Sequence, residues 1–339
     1  MSAVHSAGHP RPAAPAAAPL GGAPDARVAA VDIGGSGIRL TVSGTDRTAH
    51  GPGRAVTGDG LDTEALLTTV KNALRSLRLP EGTPITAVAV GMSGLLALTA
   101  NPARLMTDLA HLFGARHVVL ASDVLTSHIG ALGMRPGAVV AAGTGAVALG
   151  TDFAQWWRHR DGWGHLLGDE GSGAWIGAEG LRAALRAHDE RPGGSTALLH
   201  LAVDRFGPCA RWPSRIYPHG DVASRLASFT TDVADAAHRG DAVARSIWQR
   251  AAEHLADSVV AALPAAHHEP LVSWCGGLFR AGALLRDPFR AAVRRAAPHA
   301  RLTEPAGSSL DGAAQLARLA HRAPDQLPRA APYLRALAL

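Results

Sequence analysis

Lysine is almost missing: Lys71 is the only one in 339 residues. A P-loop needs Gly-x-x-x-x-Gly-Lys followed by Ser or Thr, and Lys71 lies in an amphipathic stretch with no glycine loop before it, so P-loop ATPases are excluded. Cysteine is nearly as scarce. Cys209 and Cys275 allow at most one disulfide and cannot build a cysteine-rich metal site, which fits a reduced, cytoplasmic setting. No apolar run approaches the roughly 18 residues of a membrane helix, and the N-terminus lacks the apolar core of a secretory signal. No membrane partner is expected. Nor is nucleic acid: 33 basic against 28 acidic residues give a formal charge of +5, but arginine is scattered along the chain instead of massed in one stripe.

What remains is a chain of ordinary globular composition, 47% hydrophobic and 18% charged, long enough for about two domains. Residues 1–26 are mostly Ala, Pro, Gly and His without periodicity, and a disordered tail is expected there. Order begins at Arg27-Val-Ala-Ala-Val-Asp-Ile, a strand that turns through Gly34-Gly35-Ser36-Gly37 into Ile38 to Val42. The two make a hairpin. Leu66, Val70, Leu74 and Leu77 repeat at helical spacing behind Asp62 or Thr63 as N-cap.

A strand from Ile85 to Val90, a helix around Ala103 to Phe113, a strand from His117 to Leu120 and a helix from Val124 to Leu132 follow. Then Ala138 to Ala142 runs through Gly143-Thr144-Gly145 into Val147 to Leu149. From Glu170 to Leu263 the pattern is helical. A strand returns at Leu271 to Cys275, ending in Gly276-Gly277, with a weak strand near Arg301 and a last helix from Leu310 to Ala320. Strands alternating with helices specify an α/β sheet protein carrying a helical insertion.

Each of the three glycine turns follows a strand, and such turns let backbone N–H groups approach an anion. Two contain a hydroxyl residue, Ser36 or Thr144, and the first is preceded by Asp32, which suits Mg²⁺ held through water. A plain turn role is the alternative for each. Asp123 stands at a strand end, the edge where open α/β sheets bind ligands. It can cap the following helix, or accept the proton of a substrate hydroxyl during phosphoryl transfer, or both. The densest segment is Asp161 to Gly177, with two tryptophans, the adjacent Asp169 and Glu170, and six glycines in seventeen residues. Aromatic faces suit the apolar side of a sugar and carboxylates suit its hydroxyls.

Gly162-Trp-Gly-His-Leu-Leu-Gly-Asp-Glu-Gly-Ser-Gly-Ala-Trp-Ile176 resembles the signature of the N-acetylglucosamine kinase group. That group lies within the BadF/BadG/BcrA/BcrD-type ATPases of the actin-like, hexokinase-like, Hsp70-like superfamily. Val31 to Arg39 resembles the first phosphate motif of these proteins, Ser122-Asp123 the catalytic aspartate, Ala142 to Ala146 the second phosphate motif and Cys275 to Phe279 the adenosine motif. The resemblance runs from about Arg27 to Ala320.

It implies two ribonuclease-H-like lobes around a cleft: an N-terminal lobe at 27–133, a C-terminal lobe with the helical insertion at 134–322, and a peripheral tail at 323–339. It implies ATP and Mg²⁺ as cofactors, with Gly34, Gly35, Ser36, Gly37, Gly143, Thr144 and Gly145 on the phosphates, Gly276 and Gly277 at adenosine, and Asp32 supporting the metal. Asp123 is then the general base, and Trp163, Gly164, Asp169 and Glu170 bind an amino sugar. Transfer to the 6-hydroxyl of N-acetylglucosamine is the expected reaction, and a homodimer the expected state.

Family members usually carry an asparagine in the loop after the first hairpin, whereas His50 to Gly60 has none; Thr57 or Asp59 is the available substitute, and glucosamine or another hexosamine is the alternative substrate. A non-catalytic sugar sensor of the same fold is the rival outside enzymes. The iron-sulfur activators of the superfamily fit poorly, since neither cysteine is placed to share a cluster.

Overall fold

A computed structural model describes residues 27–35, 37–53, 56–57, 60–80, 82, 84–95, 101–217, 221–264 and 269–339, with backbone alone at 56–57. The expected tail at 1–26, together with Ser36 and Asp59 and the Thr57 side chain, lies outside the described residues. Strand β1 (Arg27–Ile33) is apolar on both faces because both are covered, as the inner strand of a layered α/β sheet requires. It pairs antiparallel with β2 (Ile38–Val42), which leads to β3 (Thr48–Gly51). The two-residue strands β4 (Val56–Thr57) and β5 (Gly60–Leu61) form a small ribbon before α1 (Thr63–Ser76), and Asp62 is its N-cap, accepting from Ala65 N at 3.0 Å.

Strand β6 (Ile85–Met92), helix α2 (Pro102–Phe113) and strand β7 (His117–Ser122) follow, with β1, β6 and β7 parallel. Helix α3 (Asp123–Leu132) leads to a second sheet, whose strands β8 (Gly137–Ala142), β9 (Ala146–Thr151) and β10 (Trp157–Asp161) form an antiparallel meander. The helical segment comprises α4 (Gly173–His188), α5 (Thr196–Phe206), α6 (Trp212–Ile216), α7 (Val222–Ser228), α8 (Thr230–His238) and α9 (Ala242–Ala262). Strand β11 (Leu271–Cys275), helix α10 (Ala283–Ala296) and the short β12 (Arg301–Leu302) return to the second sheet, and helix α11 (Ser309–Arg322) and strand β13 (Leu334–Ala338) end the fold.

The sheet orders, β13-β7-β6-β1-β2-β3 and β10-β9-β8-β11-β12, repeat one plan: a meander of three antiparallel strands joined on its first member to parallel strands. These are the two lobes of ribonuclease-H type. Helices α1 and α2 cover the outer face of the first sheet through Leu66, Val70, Leu105 and Leu109. Helices α4 to α10 cover the outer face of the second through Ile176, Phe229, Trp248 and Phe289.

Helices α3 and α11 lie between the sheets and touch backbone to backbone. A Cβ on Gly312 would fall 1.9 Å from the Thr126 carbonyl, and one on Gly130 1.9 Å from that of Ser308. Only glycine permits that approach.

Two features correct the expected boundaries. Helix α11 packs its Leu310, Ala313 and Ala317 with residues of β1, β6 and β7, so the end of the 134–322 span belongs against the first sheet. The tail at 323–339 is not peripheral: β13 pairs antiparallel with β7 and forms the edge of that sheet. Its exposure does not alternate, which is why it reads poorly as a strand: Arg335 and Ala336 are exposed in succession.

Candidate active site

The first glycine turn connects β1 to β2 and closes with Gly34 N donating to Gly37 O at 2.9 Å. The second occupies the same place in the other sheet, between β8 and β9, and closes with Gly143 N donating to Gly145 O at 2.9 Å. The fold thus sets the two turns at equivalent strand ends. Gly276, at the end of β11, has φ +100°, and a Cβ there would fall 2.1 Å from Ala142 O. The third turn therefore lies directly against the root of the second. Gly277 follows beside the Arg280 guanidinium.

Asp32 ends β1 opposite Arg39 on β2 and alongside Gly91 on β6. Arg39 reaches its Oδ2 from Nε at 3.1 Å and from Nη2 at 2.6 Å, and Nη2 also donates to Ser309 Oγ at 3.1 Å. One carboxylate oxygen, Oδ2, is engaged by the guanidinium. Among the described residues no cluster of three or more His, Cys, Asp or Glu could hold an ion. A lone carboxylate still suits Mg²⁺, which retains waters and takes phosphate oxygens instead of an all-protein cage.

Asp123 opens α3 where β7 ends, and its Oδ1 accepts from Val124 N at 2.9 Å. Its carboxylate thus accepts an N–H of the helix's first turn at the carboxyl edge of the sheet, while the N-cap position itself falls to Ser122, which makes no side-chain cap bond. Burial pushes the Cys275 thiol up to about 12, against a hydrogen bond with Ser127 that pulls it down and with further upward pressure from the charges of Asp123 and Asp32. Those two carboxylates thus bear on one thiol, which immediately precedes Gly276. Asp123, Asp32 and the third turn therefore lie near one another.

The segment after β10 is held from its first residue. Asp161 Oδ1 accepts from Gly162 N and from Asp169 N, both at 2.7 Å, and Oδ2 accepts from Glu170 N at 2.9 Å. The Asp169 carboxylate rests on Gly145, where a Cβ would lie 2.7 Å from its Oδ2, and it accepts from the backbone N–H groups of Ala146 and Gly164. Burial raises its pKa; those two hydrogen bonds and the nearby His165 act in the opposite sense, and the charge of Asp161 adds to the rise. Asp169 therefore bridges the second glycine turn and the tryptophan loop.

Trp163 is 72% exposed, with Leu166 and Leu167 beside it at 84% and 86%. It stands edge-on to His159, with ring centroids 6.4 Å apart. Glu170 departs from the expected grouping: its carboxylate lies 3.5 Å from His254 Nδ1 on α9, away from the partners of Asp169.

Two residues went unassigned in the sequence reading. Asp161 heads a glycine-rich loop, where an aspartate that captures following N–H groups is ordinary turn chemistry. Arg39 could be found from register, because a turn between Ile33 and Ile38 sets Asp32 opposite Arg39.

Comparison with known proteins identifies the family. The N-acetylmuramic acid/N-acetylglucosamine kinase of Clostridium acetobutylicum is 28% identical over 239 residues, 69% of this chain and 77% of its own length. The N-acetyl-D-glucosamine kinase of Dictyostelium discoideum is 30% identical over 191 residues, 53% of this chain and 59% of its own. A solved structure from Chromobacterium violaceum, provisionally named an N-acetylglucosamine kinase, is 27% identical and superposes with a TM-score of 0.65 over 85% of this chain and 98% of its own. The sequence pattern of one family matches residues 31–314, taking in all three glycine turns, Asp123 and the tryptophan segment. The chain belongs to the BadF/BadG/BcrA/BcrD ATPase family.

Proposed function

We propose that this protein is an ATP-dependent kinase that transfers the γ-phosphoryl group of ATP to a hydroxyl of an amino sugar, with N-acetylglucosamine and its 6-hydroxyl as first choice. The observation that carries the reading is the convergence at one corner of the base candidate Asp123, the carboxylate Asp32 and the glycine turns, with Asp169 joining the second turn to the sugar loop. The family is one of ATPases, and two curated relatives are named as kinases of N-acetylated amino sugars.

In this reading the N–H groups of the turns at 34–37 and 143–145 bind the phosphates, and Gly276 and Gly277 lie against adenosine. Asp32 would hold Mg²⁺ through water, and the ion would supply charge neutralisation at the phosphates. Asp169 accepts a sugar hydroxyl, and Trp163 covers an apolar sugar face. The attacking hydroxyl oxygen bonds to the γ-phosphorus as the bond to the β-γ bridging oxygen breaks, and Asp123 accepts the hydroxyl proton. The solvent-exposed Trp163 and its leucines support a loop that covers the sugar on closure, excluding water and so limiting hydrolysis of ATP.

A homodimer in a reducing cytoplasm belongs to the same proposal. Both cysteines are free, and among the described residues no helix is long and apolar enough to cross a membrane.

ADP release in a coupled assay with Mg-ATP tests the reading against N-acetylglucosamine, glucosamine, glucose, N-acetylmannosamine and N-acetylmuramic acid. Release dependent on an amino sugar is the expected result, and the panel also resolves the question raised by the missing asparagine. Sugar binding without ADP release from any member would favour a sensor.

A further inference from the structure

We infer that Asp161 is a positioning residue of the sugar site, fixing the loop 162–170 so that Asp169 and Trp163 are presented together. The inference rests on the kinase reading and adds to it a residue outside the glycine turns and the sugar contacts.

Its physical basis is a single carboxylate that accepts three backbone N–H groups, those of Gly162, Asp169 and Glu170. Gly162 N precedes Trp163, and the other two donors belong to the consecutive acids. One side chain thus fixes both ends of the loop. The path it holds is an unusual one: Asp161 and Asp169 both have φ +56°, and Gly162 and Gly164 have φ +79° and +85°. A non-glycine residue in this region persists when its surroundings hold it there. Gly168 completes the fit, because a Cβ there would come within 2.4 Å of Asp161 Oδ1.

Register explains why Asp161 can do this. It ends β10 opposite Val147 of β9, next to Ala146, whose N–H the Asp169 carboxylate accepts. The second glycine turn and the Asp161 carboxylate are consequently built on adjacent strands of one sheet. Asp169 spans them, its backbone on Asp161 and its side chain on the turn. This arrangement places two carboxylates close together, and the repulsion contributes to the raised pKa of Asp169 after burial. A neutral residue would avoid that repulsion but would not offer acceptors on both sides.

The test compares Asp161→Ala, Asp161→Asn and Asp169→Ala in the full chain, measuring sugar KM, ATP KM, kcat and thermal unfolding. Asp161→Ala is expected to raise sugar KM at least tenfold with ATP KM changed less than threefold. Asp161→Asn retains one acceptor oxygen for Gly162 and Asp169 and should fall between it and the wild type. It also keeps the test open if the alanine variant does not fold.

A second readout separates positioning from simple folding support. Asp169 is faced by Asp161, His165 and the N–H groups of Ala146 and Gly164, so removing the Asp161 charge should move the acid limb of kcat/KM for sugar to lower pH. Sugar KM and acid limb both unchanged in Asp161→Asn, while Asp169→Ala loses sugar affinity, would overturn the positioning role and leave the site intact. Asp169→Ala without effect on sugar KM would instead overturn the sugar-site assignment, and this inference with it.

Discussion

Replacing Gly145 by alanine probes the contact between the second glycine turn and the loop that carries Asp169. The new Cβ would stand 2.7 Å from Asp169 Oδ2, 3.1 Å from its Cγ and 3.3 Å from Oδ1. These are the three nearest atoms, and Gly145 is not in the left-handed region, so the backbone itself accepts alanine. The carboxylate must therefore move, away from N–H groups that it accepts from Ala146 and Gly164. A hydrogen bond to a charged group contributes about 1.5–3 kcal/mol, so losing one predicts a fall of about 10- to 150-fold in kcat/KM for the sugar.

Coupled ADP release at saturating Mg-ATP reads that fall, and thermal unfolding should show little change because the short Asp169 side chain yields before the core does. Combining Gly145→Ala with Asp169→Ala closes a double-mutant cycle. Once the carboxylate is gone the alanine should cost nothing further. A Gly145→Ala enzyme within threefold of wild type, or a double variant whose losses simply add, would refute the reasoning.

Three other outcomes are expected. Asp123→Asn should lower kcat by about 10²- to 10⁴-fold while calorimetry shows sugar still bound; turnover near wild type would remove Asp123 as the base. Because the Asp169 pKa is raised, the native state holds its proton more tightly than the unfolded chain does. Its protonation adds stability as pH falls yet removes the hydroxyl acceptor, so sugar kcat/KM should decline at a pH above the ordinary aspartate value of about 3.9 before the fold is lost; simultaneous loss of circular dichroism and activity would contradict this. Gly312→Ala drives a Cβ into the Thr126 carbonyl, where neither backbone can yield. A destabilisation of about 3 kcal/mol or more is expected, and unchanged thermal unfolding would disprove the close crossing.

The parts of the site that follow strands were legible in the sequence, for a local reason. A buried β-rich run that stops at glycine announces both the strand and its turn, and Ile33 to Ile38, Ala142 to Ala146 and Cys275 to Gly276 all have that form. Asp123 was legible because a polar residue between an apolar strand and an amphipathic helix marks a boundary. Strand β10 was not: Trp157-Arg-His-Arg-Asp161 sits at a sheet edge without a fully buried face, so it lacks the alternation that betrays a strand. The crossing of α3 and α11 was hidden too, because Gly130 and Gly312 within helical patterns read as weak points, and their purpose appears only when two backbones meet. The grouping of Asp169 with Glu170 failed because neighbours in sequence share a backbone but not a direction, and one carboxylate turns to Ala146 while the other turns to His254.

The edge strand β13 gives the molecule an order of completion. Strand β7, which leads directly into Asp123, takes its outer hydrogen bonds from Leu334 to Ala338, and Ser122 N donates to Tyr333 O at 2.8 Å. During synthesis that partner leaves the ribosome long after β7 itself. Until then a bare strand edge, prone to pairing with other chains, lies beside the residue that precedes the candidate base. Tyr333 also stacks on Trp157 and His159 of the second sheet, with centroids 5.7 and 6.2 Å away. A chain halted before residue 333 would carry all the candidate site residues yet leave their floor unfinished, so phosphoryl transfer should emerge only as the closing step of folding.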